Sequence, residues 1–158
     1  MLKQISTSFP AASPSLTSDA RAAVATCAGI HARLVARRLS RLFDRHLAPF
    51  GLGIAQFGLM AEIASAADDT IGRLAARTGL DASTLSRNLH ALERRGLVEI
   101  VIAEADLRRR AVWLTEQGAR TLAAAMPAWR EAQAEVAVLV DPSDIGRIAE
   151  ATAVLDAA

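Results

Sequence analysis

The side chains best suited to chemistry lie between residues 71 and 115, and that chemistry is hydrogen bonding. Leu85, Leu89 and Leu92 recur at helical spacing and mark a stripe that should pack inward. Ser83, Arg87, His90 and Arg94 fall on the opposite side, with Thr84 and Ser86 on the flanks. Short hydroxyls near a helix N-terminus suit base-edge or phosphate contacts, and Arg87 has the reach for a guanine edge or a phosphate. Further along, a turn carries Asp106, Arg108, Arg109 and Arg110 between two β-like runs. A polar-faced helix in a major groove and a basic hairpin at the adjacent minor groove would make double-stranded DNA the partner. The plainer reading is a solvated helix face beside a soluble, charged hairpin.

Other groups invite weaker readings. Cys27 and His31 stand four apart, as neighbours on one helical face. A nearby imidazolium could make Cys27 a redox sensor, although cysteine is more often a small packed hydrophobe. No Cys/His-rich cluster completes a metal site around them. Arg33, Arg37, Arg41 and Arg45 repeat every four residues, as a second DNA surface or, more simply, as solvated or acid-paired charges. Trp113, Trp129, Met60, Phe43, Phe50 and Phe57 could line a pocket for a small apolar or aromatic effector, or simply fill the core. There is no GxSxG, Walker loop, GxGxxG or HExxH, and Asp68-Asp69 reads as a loop, so the sequence nominates no catalytic residue, metal ligand set or cofactor.

Elements must hold these groups in place. Residues 1–17 are Ser/Thr/Pro-rich and read as a flexible segment. Ser18 or Asp19 caps a first helix that runs to about Leu47, where Pro49, Gly51 and Gly53 break the chain. Residues 54–66 form a second helix. Thr70 caps a short third one ending at Gly79, and Asp81 caps a fourth over residues 82–95, ended by Gly96. Strands follow at 98–103 and 111–114. Thr115 opens a long helix that Pro127 should kink. Asp141-Pro142-Ser143-Asp144 then starts the last helix, residues 143–155. The fold class is thus mainly α with a small β-hairpin.

Net charge is only +1 over 158 residues, but its distribution is uneven. Residues 1–69 carry seven basic and five acidic side chains, residues 70–115 eight and five, and residues 116–158 three and seven. The positive excess coincides with the helix-turn-helix and hairpin, and phosphate would repel the acidic end. One cysteine excludes an intrachain disulfide and fits a reducing cytoplasm. No signal peptide and no membrane span is evident.

The ordering of Leu52-Gly53-Ile54-Ala55-Gln56-Phe57, Leu74-Ala75-Ala76-Arg77-Thr78-Gly79-Leu80, Leu92-Glu93-Arg94-Arg95-Gly96-Leu97-Val98, Asp106-Leu107-Arg108 and Leu114-Thr115-Glu116-Gln117-Gly118 resembles the MarR family of winged-helix transcriptional regulators. The resemblance covers about residues 20–156. It implies a winged helix-turn-helix lobe at 49–115 and helical dimerisation regions at 18–48 and 116–158. It also implies a homodimer on pseudo-palindromic operators, usually a repressor released by a small ligand or by thiol oxidation. It gives Arg108 the minor groove, with Asp106 orienting it by an ion pair, and leaves Arg110 to bind phosphate or brace the wing. The chain departs from that pattern in its first 17 residues and in having no tyrosine. A helical dimerisation module without DNA would explain the terminal helices but not the basic hairpin.

Overall fold

Capping residues and apolar spacing account for most element boundaries in the computed structural model, which describes residues 14–66, 70–102 and 110–157. The helices are α1 Pro14–Thr26, α2 Ala28–Leu47, α3 Ile54–Ser65, α4 Ile71–Thr78, α5 Ala82–Glu93, α6 Glu116–Leu139 and α7 Pro142–Thr152. Strands β1 Val98–Ile102 and β2 Arg110–Leu114 lie between α5 and α6, and short 3-10 turns follow α2 and α7. The chain divides into two compact units, residues 1–38 and 39–158.

Among the described residues, the first unit comprises α1 and the opening turns of α2. Two sequence expectations need correction here. The first helix starts at Pro14, ahead of the Ser18 or Asp19 cap, so residues 14–17 are helical rather than loose. Proline is favoured at a first helical position, where its missing N–H costs nothing. The expected single helix is also interrupted, at Cys27. The Cys27 N–H still donates to the Ala23 carbonyl (3.0 Å), and the His31 N–H to that of Cys27 (3.1 Å). Just ahead of the interruption, the Thr26 hydroxyl donates to the Ala22 carbonyl at 2.9 Å.

The second unit is built around one apolar core. Phe43 and Leu47 from the end of α2, Phe57, Leu59, Met60 and Ile63 from α3, Leu74 from α4, and Leu85, Leu89 and Leu92 from α5 are all buried in it. Leu52 ahead of α3, Leu97, Val98 and Val112 from the hairpin and its base, and Leu122, Ala125, Ala132 and Val136 from α6 complete it. Each fully buried leucine contributes about 1.5–3 kcal/mol. The exposed ion pairs Arg77–Glu62, Arg120–Glu116 and Arg147–Asp144 add about 0–1 kcal/mol each, so burial and not charge pairing fixes this arrangement.

The local signals act largely as the sequence suggests. Thr70 Oγ1 accepts the Arg73 N–H, and Gly79 closes α4 in the left-handed region, with φ 62°. α5 ends in a Schellman arrangement: the Leu97 N–H donates to Leu92 O (3.0 Å), the Gly96 N–H to Glu93 O (2.8 Å), and Gly96 has φ 66°. α3 is started from a distance, by Asp44 Oδ1 accepting the Ile54 N–H at 2.7 Å. Pro127 does not interrupt α6. α7 begins with Pro142 behind the Asp141 cap, whose carboxylate accepts the Ser143 N–H at 2.9 Å. Two hydrogen bonds, from the Ser143 backbone and then its side chain, hold the Asp141 carboxyl below its ordinary range.

The hairpin is antiparallel, with Val98 opposite Leu114, Glu99 opposite Trp113 and Ile100 opposite Val112. Val98 and Val112 face the core, whereas Glu99 and Trp113 face outward. Its base is joined to α6 at one junction. The Thr115 N–H donates to Leu97 O at 3.2 Å, its hydroxyl donates to Gly96 O at 2.6 Å, and the same oxygen accepts the Gly118 N–H at 2.9 Å. Gly118 lies so close to β1 that a Cβ there would stand 1.9 Å from the Leu97 carbonyl oxygen. Backbone on both sides leaves no flexible atom to yield. Gly118→Ala should therefore cost about 3 kcal/mol, the upper end for overpacking, read as a shifted urea midpoint. A loss below about 0.5 kcal/mol would mean that α6 can slide away from Leu97 freely.

Candidate nucleic-acid interface

The helix-turn-helix consists of α4, the Gly79-Leu80-Asp81 turn and α5. Leu85, Leu89 and Leu92 are almost wholly buried, so α5 cannot roll about its axis without exposing all three. That constraint aims the opposite face outward. Ser83, Ser86, Arg87, His90 and Arg94 are exposed and Thr84 is half-buried, in agreement with the faces read from the sequence. Arg94 lies just past the last helical residue rather than within α5.

Asp81 organises the N-terminal edge of α5. Its Oδ1 accepts the Ser83 N–H (3.0 Å), the Thr84 N–H (2.9 Å) and the Ser83 hydroxyl (2.6 Å). Its Oδ2 accepts the Thr84 hydroxyl at 2.7 Å. The Ser83 hydroxyl first, then the Thr84 backbone and hydroxyl, hold the Asp81 carboxyl far below the usual carboxylate range. Ser83 and Thr84 therefore do not present free hydroxyls, as the sequence suggested; both are already engaged with the cap. Asn88 Nδ2 donates to Thr84 O at 3.0 Å, one turn further on.

The rest of the face is mixed. His90 Nδ1 stands 3.1 Å from Glu93 Oε2 on the same helix. Among the described residues, the guanidinium groups of Arg87 and Arg94 have no hydrogen-bond or ion-pair partner. Their charge is directed to solvent and remains available to an anionic ligand. The hairpin tip lies outside the described residues, and with it Asp106, Arg108 and Arg109. Arg110 is the first residue of β2, paired through its backbone with Ile102, and its side chain also lies outside them. The acidic pair Asp68-Asp69, read as a loop, is outside them too.

Three groups that position the site were not singled out in the sequence. Arg95 Nη1 donates to the Gly51 carbonyl at 2.7 Å and reaches Gln56 Oε1 at 3.5 Å, while Nη2 reaches Phe50 O at 3.5 Å. It ties the end of α5 to the turn before α3. The partners lie 39 to 45 positions away, which no local pattern reveals. Asp44 acts likewise on Ile54. His46, near the end of α2, has Nε2 at 2.7 Å from Glu135 Oε1 and Nδ1 at 3.9 Å from Glu131 Oε2, linking that turn to α6.

The remaining candidates separate. Phe43, Phe57 and Met60 are core residues. Trp129 is half-buried and stacks on Phe57, with ring centroids 6.1 Å apart at 17°. Phe50 is half-buried, and Trp113 is 46% exposed on the outer face of the hairpin. Cys27 is exposed within the single chain, not packed as the plainer sequence reading had it, and His31 is exposed as well. Arg33, Arg37, Arg41 and Arg45 are exposed, and Arg37 and Arg41 have interaction partners. Among the described residues, no three His, Cys, Asp or Glu side chains could hold a metal ion, and no single helix is long and apolar enough to cross a membrane.

A MarR-family sequence model matches residues 50–109. The transcriptional regulator HosA of Escherichia coli is 36% identical over 96 residues, spanning 57% of this chain and 70% of that protein. The chain belongs to the MarR family. It has the winged helix-turn-helix fold of that family and is a transcriptional regulator rather than an enzyme. The transcriptional regulator MosR of Mycobacterium tuberculosis, in a crystal structure with DNA, is 38% identical, with 81% of this chain and 99% of that one aligned at a TM-score of 0.70. A cysteine-to-serine mutant of E. coli MarR, crystallised with operator DNA, shares the fold: 24% identity, 77% of this chain, 88% of that one, TM-score 0.68.

The depressed Asp81 carboxyl gives a pH signature. Its contribution to folding is fully present above the ordinary aspartate range and is lost as pH falls through that range toward the lower folded value. Asp81→Ala should lower the urea midpoint at about pH 7, and the gap from the native protein should narrow below about pH 4. A gap of constant size down to about pH 2.5 would show that the cap does not depend on charge.

Proposed function

We propose that this MarR-family chain acts in the cytoplasm as a homodimer that binds a pseudo-palindromic operator in double-stranded DNA, and that it represses transcription until a small effector releases it. The observation that carries this reading is the exposed face of α5, aimed outward by three buried leucines, with Arg87 on it and Arg94 just past its end, both without internal partners among the described residues. The DNA-bound structures of MosR and MarR support it by similarity. Arg87 would read a base edge and Arg94 a phosphate, with Ser86 and His90 beside them. The wing would place Arg108 in the minor groove, oriented by Asp106, with Arg110 at a phosphate or bracing the hairpin.

Uncovered apolar surface supports the dimer. On α1 and α2, Leu16, Val24, Ile30 and Val35 are exposed; separately, so are Val138 and Leu139 of α6, Ile148 of α7, and Val154 and Leu155 beyond it. A second copy related by two-fold symmetry would cover such surfaces and set two recognition helices about 34–36 Å apart. An apolar or aromatic effector would act by binding one dimer shape better than the other, and Phe50 and Trp129 are the half-buried aromatic side chains it could reach.

Titration of labelled promoter fragments at two salt concentrations tests the reading, with sedimentation run on the same samples. A dimer should bind with strong salt dependence. Arg87→Ala should cost about 1–3 kcal/mol and relax choice at one base position. Arg108→Ala should weaken all sequences alike and reduce the salt slope by about 1. A monomer, or a salt-insensitive interaction, would overturn the proposal.

The exposure of Cys27 at the α1–α2 break favours a second mode of release, by thiol oxidation. Mild peroxide should then weaken operator binding by the native protein and leave Cys27→Ser unchanged. Equal affinity before and after treatment in both proteins would remove that mode.

A further inference from the structure

The hydrogen bonds around Asp81 determine what the leading edge of α5 can recognise. An ionised carboxylate has no proton to give, so in its 2.6 Å contact with Ser83 and its 2.7 Å contact with Thr84 the hydroxyls are the donors. A hydroxyl has one proton. With it committed to Asp81, only oxygen lone pairs remain for an outside ligand. The same carboxylate consumes the backbone N–H groups of Ser83 and Thr84, the donors that an incoming phosphate would need. It also sets a negative charge where that phosphate would sit. The low position of the Asp81 carboxyl keeps the arrangement intact across the physiological range.

We propose that Asp81 makes this edge an acceptor-only surface, so that Ser83 and Thr84 select bases bearing a major-groove amino group, adenine N6 or cytosine N4, and seat no phosphate. In the major groove those amino groups are the only donors on the base edges. Arg87, one turn further along, is a donor-only group and has the opposite preference, for guanine O6 and N7. The outward face of α5 thus changes hydrogen-bonding polarity within one turn. This specificity assignment rests on the DNA-binding reading above and sharpens it.

Asp81→Asn is the diagnostic variant. Asparagine caps a helix as well as aspartate does, so the Oδ1 contacts to the Ser83 and Thr84 N–H groups persist. The amide nitrogen takes the place of Oδ2 and donates to Thr84 Oγ1, which reverses that hydroxyl and releases its proton. Thr84→Val removes the hydroxyl altogether and serves as the second variant.

The probe is a duplex selected by the native protein from a random pool, remade with single amino-group deletions. Each adenine in turn is replaced by purine deoxyriboside, lacking the 6-amino group, and each cytosine by its 4-desamino analogue. The native protein should lose about five- to tenfold in affinity at one or two positions in each half-site, the scale of one hydrogen bond. Thr84→Val should lose that sensitivity at one position, and Asp81→Asn, which leaves the hydroxyl one lone pair and a free proton, should reduce it at the same position. The assignment is overturned if no deletion weakens native binding, or if Asp81→Asn keeps full sensitivity throughout. A native protein that enriches no sequence and shows no salt-sensitive binding would overturn the DNA-binding reading as well.

Discussion

Everything in the second unit depends on the contact between the start of α6 and the base of the wing. Thr115 serves there as an N-cap, a hydroxyl donor to Gly96 O and a backbone donor to Leu97 O. Gly118 lets the α6 backbone press against the Leu97 carbonyl. The end of α5, the start of β1 and the first turn of α6 are thereby fixed to one another. The recognition helix inherits its orientation from this junction and from the core leucines below it, and Arg95 secures its far end to the Gly51 turn. A change in the pitch of α6 therefore has a short route to α5.

The energies are ordered in a way that assigns roles. Burial of Leu74, Leu85, Leu89 and Leu92 outweighs any surface ion pair by severalfold, so the charged residues of α4 and α5 are not needed to hold the fold. Arg87 and Arg94 can therefore be spent on a partner, whereas Arg77 is tied to Glu62 at 3.0 Å and His90 to Glu93. The same ordering explains why a chain of net charge +1 can still bind a polyanion. What matters is where the charge stands, not how much of it there is.

Much of this was legible in the sequence because the signals are local. Thr70, Asp81, Thr115 and Asp141 all act as N-caps, Gly79 and Gly96 both adopt positive φ, and the leucine stripe of α5 is buried as its spacing demands. The faces assigned to Ser83, Ser86, Arg87 and His90 follow from the same periodicity. The contacts that escaped are non-local. Arg95 to Gly51, Asp44 to Ile54 and His46 to Glu135 join residues on different elements, and nothing in a window of neighbours announces them. The break at Cys27 escaped as well, because neither Thr26 nor Cys27 is a helix breaker by propensity. The engagement of Ser83 and Thr84 by Asp81 was half visible, since the cap was evident but its hold on the hydroxyl protons was not.

The two tryptophans of the chain stand in unlike surroundings. Trp129 lies stacked on Phe57 against the core, whereas Trp113 is open to solvent on the wing, directly across from Glu99. With no tyrosine present, their emission dominates the intrinsic fluorescence. A quencher dissolved in water reaches the wing indole far more readily than the stacked one. The molecule thus carries a native optical reporter on the hairpin and a separate one on the core, distinguishable without any attached dye.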